Sequence, residues 1–277
     1  MDRISGALLT VVFFVALAGP RTASAIWIGS ATSEYESVGG IATAYGYYAS
    51  GTLIADRWVL TAAHVANELE PDFPSYFAYG DDFVRISSAY VHPDADSAFD
   101  YDIGLFELET PISGALFPTL FNGDFAGTAV PGYLGAEATL VGYGANNPFD
   151  FTGEGQRRAG NNSIAYADDS YLTFWARNGA GALPGDSGGS AWADFGLGEV
   201  LIGVHSFVVP DGAGHYDTYD IRIDRFRSWI DSTVGAGMVR WGNGTAVISV
   251  PEPSPLSLFA FGCMAIALMR RYRRRHS

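Results

Sequence analysis

From residue 26 to about residue 241, apolar and polar positions alternate in short runs, each cut off by turn residues before helical periodicity builds up. Residues 51–54, 58–62, 83–91, 103–108, 138–142 and 200–209 each have the length of one strand. The segment 224–234 differs, because Phe226, Trp229 and Ile230 fall on one face of a helix. The pattern predicts an all-β body, barrel or sandwich, closed by a C-terminal helix. With 34 glycines and 13 prolines the chain has ample turn residues for such a body. Residues 235–249 read as a linker.

Both ends leave this pattern. Residues 1–25 carry Arg3, an apolar run over 7–18 and the tripeptide Ala23-Ser24-Ala25, the order of a signal peptide with its cleavage site. The alternative is a retained anchor, although the run is shorter than the ~20 residues a spanning helix needs. At the other end, residues 250–277 hold Val250-Pro251-Glu252-Pro253, an apolar stretch over 256–269, and the basic cluster Arg270-Arg271-Tyr272-Arg273-Arg274-Arg275. Physically this is a short stop-transfer segment with its charges held inside. Its order also resembles the PEP-CTERM sorting tail. That resemblance implies an exosortase-like processing enzyme as partner and transient membrane anchoring; a plain C-terminal anchor is the alternative. Either reading exports the body, to the cell surface or beyond.

Charge narrows the partners. All 16 basic residues are arginines, and residues 26–250 carry 28 acids against 9 of them, a formal charge of −19. Such a surface repels nucleic acid and anionic membranes. The single cysteine, Cys263, lies in the apolar tail, so the body folds without a disulfide.

The strongest chemical signal is Gly185-Asp186-Ser187-Gly188-Gly189. A serine hydroxyl is a poor nucleophile unless its proton is removed and the developing oxyanion is held. Flanking glycines let a tight loop aim its N–H groups inward and leave space for a substrate backbone. A base is available in Thr61-Ala62-Ala63-His64, which follows the apolar run 58–60. An orienting carboxylate is available in Asp102-Ile103-Gly104-Leu105; Asp100 is its rival, and the apolar pair Ile103 and Leu105 favours Asp102. The chain order His, Asp, Ser is one of three known for this geometry.

These three motifs resemble those of the chymotrypsin/trypsin family, and Gly51-Thr52-Leu53-Ile54, Gly142-Tyr143-Gly144 and Trp229-Ile230 add lesser matches. The resemblance spans residues 26–231, and a protease domain is expected at 26–234. It implies two six-stranded antiparallel β-barrels with the active site between them, and a serine endopeptidase acting on proteins or peptides without a cofactor or metal. It implies His64 as general base and then acid, Asp102 as its orienting carboxylate, and Ser187 as nucleophile. The N–H groups of Gly185 and Ser187 would form the oxyanion hole. Cleavage after Ala25 would free the Ile26 amine to pair with Asp186.

The same resemblance places Gly181 where trypsins carry an acid at the base of the specificity pocket, which argues against Arg or Lys before the scissile bond. Ser206-Phe207-Val208 would be the strand that supports substrate, with Val208 narrowing the pocket toward small apolar side chains. His205 stands where glutamate-specific relatives place a histidine, so a glutamate preference is the alternative. Asp217 is a further candidate for the pocket. His92 and His215 read as turn and loop residues, and Asp81-Asp82 and Asp94/Asp96 as solvated surface rather than a calcium loop. From other functional classes come a catalytically inactive binding protein on the same fold and a structural surface or matrix protein; reactivity toward a fluorophosphonate separates both from an enzyme.

Overall fold

The computed structural model describes residues 26–70, 73–123, 133–147, 149–196 and 198–242. The expected leader, residues 1–25, and sorting tail, residues 250–277, lie outside them.

After a two-residue strand, β1 (Ser30–Ala31), the first half runs through β2 (Val38–Thr43), β3 (Gly46–Ala55), β4 (Trp58–Thr61), β5 (Tyr76–Tyr79), β6 (Asp82–Val91) and β7 (Gly104–Leu108). These last six close into an antiparallel barrel in the order β2-β3-β4-β7-β6-β5. Closure leaves no edge exposed, and Ile41, Leu53, Leu60, Phe77, Leu105 and Phe106 are all fully buried members of one apolar core. A one-turn helix, α1 (Ala63–Ala66), leaves the end of β4 and carries His64.

The second half consists of β8 (Thr119–Phe121), β9 (Glu137–Gly142), β10 (Arg158–Ser163), β11 (Tyr166–Ala167), β12 (Tyr171–Phe174), β13 (Ser190–Asp194), β14 (Glu199–Pro210) and β15 (Tyr216–Arg222). It ends in α2 (Arg227–Val234) and β16 (Arg240–Gly242). Its strands pair in the order β1-β10-β9-β13-β14-β15-β12-β11. Here the structure departs from the expectation of two closed barrels: the first is closed, whereas no pairing between β1 and β11 closes the second ladder among the described residues. The two end strands are two residues long each, too short to add a seam.

The expected helix is present in two pieces, a 3-10 turn over Ile223–Phe226 and then α2. It buries Phe226, Ile230 and Val234. Its Phe226 and Trp229 rings pack at 5.2 and 5.3 Å on His92, which also stacks on Tyr101. His92 is therefore more than a turn residue, since it docks the C-terminal helix against the loop leading to Asp102. The stretch expected as a linker is also partly structured. Arg240–Gly242 pairs in parallel with Thr119–Phe121, and Trp241 donates its indole N–H to Asp231 Oδ1 at 2.8 Å.

Candidate active site

Three loops meet where the two halves face each other. Asp102 is 2% exposed and begins the run into β7. One of its oxygens accepts the His64 main-chain N–H at 2.8 Å and the other faces His64 Nδ1 at 2.8 Å. The Ser206 hydroxyl donates to that second oxygen. Burial by itself would raise the Asp102 carboxyl; the donors from His64 and Ser206, with the charge of the imidazole, outweigh it and hold the group below its ordinary range. Asp100, the rival, is exposed and faces the Tyr171 hydroxyl at 3.4 Å instead. The role of Ser206 as an Asp102 donor escapes sequence reading, because 104 positions separate the two residues.

Ser187 lies in a loop braced from the first barrel. Ser50 N–H donates to the Ser187 carbonyl at 2.8 Å, and the Ser50 hydroxyl donates to the Gly185 carbonyl at 2.9 Å. Gly185 has φ +89° and Gly188 φ +80°, left-handed conformations that a side chain disfavours. Among the described residues, no main-chain hydrogen bond takes the N–H of Gly185 or of Ser187.

Beneath the loop, Asp186 is fully buried. Its Oδ1 accepts from Gly144 N–H at 2.8 Å, and its Oδ2 from Leu183 N–H at 2.9 Å and Ile26 N at 3.3 Å. Burial pushes its carboxyl up to about 6, against the opposing charge of His205 and the three N–H donors. The motif Gly142-Tyr143-Gly144 thereby acquires a reason: a Cβ on Gly142 would collide with the Asp186 carboxylate, and one on Gly144 with its main-chain nitrogen. Gly144→Ala should therefore destabilise the fold by about 1–3 kcal/mol through overpacking. Urea unfolding checks this, and an unchanged midpoint would mean that the loop yields without cost.

Beside Ser187 lies a cavity of about 240 Å³, lined by Ala182, Leu183, Pro184, His205, Ser206, Phe207 and Val208. Four of the five residues expected to bind substrate line it. Gly181 does not; its carbonyl accepts Trp27 N–H at 2.8 Å, and its α-carbon faces the Tyr216 carbonyl and the Thr218 hydroxyl. Asp217 does not reach the cavity either, since its carboxylate accepts Ala176 N–H at 2.8 Å. His205 lines it but is 1% exposed and has its Nδ1 2.8 Å from Asp220. An aromatic wall also went unread in the sequence. Phe99 meets the His64 ring edge-on at 5.5 Å and the Phe207 ring at 5.4 Å, and Tyr219 stacks on Phe207 at 4.8 Å. Asp96, one of the calcium candidates, uses Oδ1 to accept the N–H groups of Ala98 and Asp100.

Known proteins share this architecture. Mouse neuropsin, described as a serine protease expressed in the limbic system of the brain, superposes with a TM-score of 0.63 at 19% identity, over 76% of this chain and 100% of its own. At that identity the likeness speaks for the fold. Sequence speaks for the family, because the family model described as Trypsin matches residues 26–230, more than half of the chain. With that match and this fold, the chain belongs to the trypsin family of serine proteases.

Proposed function

We propose that the chain is an exported serine endopeptidase that cleaves peptide bonds through His64, Asp102 and Ser187. The observation that carries this reading is the hold on His64: Asp102 grips both its main-chain N–H and its Nδ1, each at 2.8 Å. That grip fixes the tautomer with Nε2 free to accept a proton. Ser187 Oγ adds to the scissile carbonyl carbon while His64 Nε2 takes the hydroxyl proton, and the oxyanion turns to the N–H groups of Gly185 and Ser187. His64 then protonates the departing amine, the C–N bond breaks, and an acyl-enzyme remains. Water, activated by the same imidazole, releases the acid and restores Ser187.

Substrate is held as an added strand. β13 pairs with β14 only as far as Val204, so the edge of β14 from Ser206 to Val208 is free of a partner on that side. The lining of the cavity is mostly apolar, and Val208 narrows it, which supports small apolar residues before the scissile bond. Against a glutamate preference stands Asp220, a buried carboxylate on the His205 ring that disfavours a second anion there. Profiling with a peptide library should show alanine and valine leading. Val208→Gly should raise relative turnover of larger residues roughly tenfold, the worth of a methylene or two in an apolar pocket; a profile led by glutamate would overturn this assignment.

Export and processing complete the proposal. Signal cleavage after Ala25 frees the Ile26 amine beside Asp186, and an exosortase-like enzyme acts on the Pro251-Glu252-Pro253 tail. N-terminal sequencing of active protein should begin at Ile26, and any other start removes the activation step. The test of the chemistry itself is covalent labelling of Ser187 by a fluorophosphonate, which a binding or matrix protein on this fold would not show.

A further inference from the structure

Apart from Asp102 and Asp186, one more titratable pair is shut away from solvent close to the nucleophile: His205, 1% exposed, with Asp220, 0% exposed. We propose that His205, clamped by Asp220 as a buried imidazolium beneath the nucleophile loop, is a positioning residue that keeps Asp186 ionised and the oxyanion-binding loop in shape. This inference rests on the protease reading above, but the charge on the ring can be read without turnover.

The geometry ties His205 to the loop on three sides. Its carbonyl accepts Gly188 N–H at 2.8 Å, and its own N–H donates to the Gly189 carbonyl at 2.9 Å, so the main chain brackets the residues just after Ser187. The ring lies under Gly189: a Cβ there would come within 2.8 Å of His205 Cδ2, 2.8 Å of the Asp186 carbonyl and 2.6 Å of the Val141 carbonyl. Nδ1 sits 2.8 Å from Asp220 Oδ1, and this contact orients the ring. Nε2 and Asp220 Oδ2 find no hydrogen-bond partner within the described residues. Those two atoms lack a partner in either protonation state, so what favours the imidazolium is the Asp220 carboxylate 2.8 Å away, in surroundings with little water to screen it, and the Val141 carbonyl beside the ring edge.

Charge balance points the same way. Asp186 and Asp220 bring two buried negative charges to one region, and the groups that face them are few. They are His205 from β14, the Ile26 amine once freed, and Arg158 from β10, which feels the charge of Asp186. Burial works against a charged His205, yet Asp220, by charge and hydrogen bond, together with Asp186 and the Val141 carbonyl, raises its proton affinity above the ordinary value. By reciprocity His205 lowers the proton affinity of Asp186. The cation belongs to the fold itself, so the loop has an electrostatic support that does not wait for processing at Ile26.

The test uses processed protein starting at Ile26, with His205→Gln and Asp220→Asn. Both variants should retain cooperative unfolding while the acid limb of kcat/KM moves to higher pH, because Asp186 has lost a neighbouring cation. At pH 6 kcat should fall at least tenfold, with KM for an alanine substrate changed less than threefold. Limbs that superpose on the parent's would overturn the inference and leave His205 a packing residue. Should a variant fail to fold, nitrogen-15 spectra of histidine-labelled parent protein decide: a buried ring doubly protonated at pH 7 is expected, and one neutral there overturns the proposal. Absent fluorophosphonate labelling of the parent would instead remove the protease reading and leave the ring's charge standing.

Discussion

Asp102→Asn should lower kcat by about four orders of magnitude with little change in KM, the scale found where an orienting aspartate becomes an amide. The carboxylate accepts three donors at once, His64 N–H, His64 Nδ1–H and the Ser206 hydroxyl. An amide has one acceptor oxygen, so its NH2 must face one of these donors. If it faces the ring, the imidazole turns its proton to Nε2, the nitrogen that has to accept from Ser187. Asp100→Asn is the matched control, because Asp100 is exposed and touches only the Tyr171 hydroxyl among these groups; it should stay within about twofold of the parent. The pH dependence has a definite sign. Since the Asp102 carboxyl is held below its ordinary range, its contribution to stability is present above the ordinary carboxylate value of about 4 and is lost as pH falls through the lower folded value. Acid unfolding of Asp102→Asn should accordingly depend less on pH. Steady-state kinetics of the two variants decide the matter: a larger loss in Asp100→Asn would reassign the orienting carboxylate.

Freeing the Ile26 amine should stabilise the protein by about 1–3 kcal/mol near pH 7. In a chain that continues before Ile26, the nitrogen 3.3 Å from Asp186 belongs to a peptide bond, and the buried carboxyl stands raised to about 6. A raised folded value means that the folded state holds the proton more tightly than the unfolded chain does. The cost is absent below about 4 and grows as pH rises to 6, reaching on the order of 3 kcal/mol at neutrality. A free ammonium offsets this by favouring the carboxylate, although burying that ammonium takes back a part. A second contribution is steric and independent of pH. Ile26 has φ +53°, an outlier for a β-branched residue, and cleavage removes the preceding carbonyl that makes the conformation costly. Urea unfolding of proteins with and without residues before Ile26 should give midpoints whose separation widens between pH 4 and pH 6. Equal midpoints throughout would mean that Asp186 gains nothing from the amine.

What sequence reading could reach follows from where the chemistry is written. The nucleophile loop, the histidine turn and the aspartate strand are each a few consecutive residues, since a tight turn or strand end must be built locally. Ser187, His64 and Asp102 could therefore be picked out as candidates one at a time. The strand runs were legible for the same reason: 200–209 appears as Glu199–Pro210 and 83–91 as Asp82–Val91. Partners that meet only through sheet pairing leave no such trace. His205 with Asp220 and Phe207 with Tyr219 are set by the β14–β15 register, and Ser206 with Asp102 and Phe99 with Phe207 by a loop packed against that strand, none with a local signature. β16 was missed because three residues in a Gly-rich stretch carry no periodicity, and only β8 tells them where to pair. Gly181 was carried over by analogy as a pocket residue, but its main chain is occupied by Trp27 and it lies off the cavity.

The central claim is an activated Ser187, and the most direct measurement is diisopropyl fluorophosphate labelling of purified protein spanning residues 26–250, with Ser187→Ala beside it. Intact mass and peptide mapping should show one diisopropylphosphoryl group on Ser187 of the parent and none on the variant. The variant's turnover should fall by roughly four to six orders of magnitude. Folded protein that starts at Ile26 and takes up no label would contradict the account.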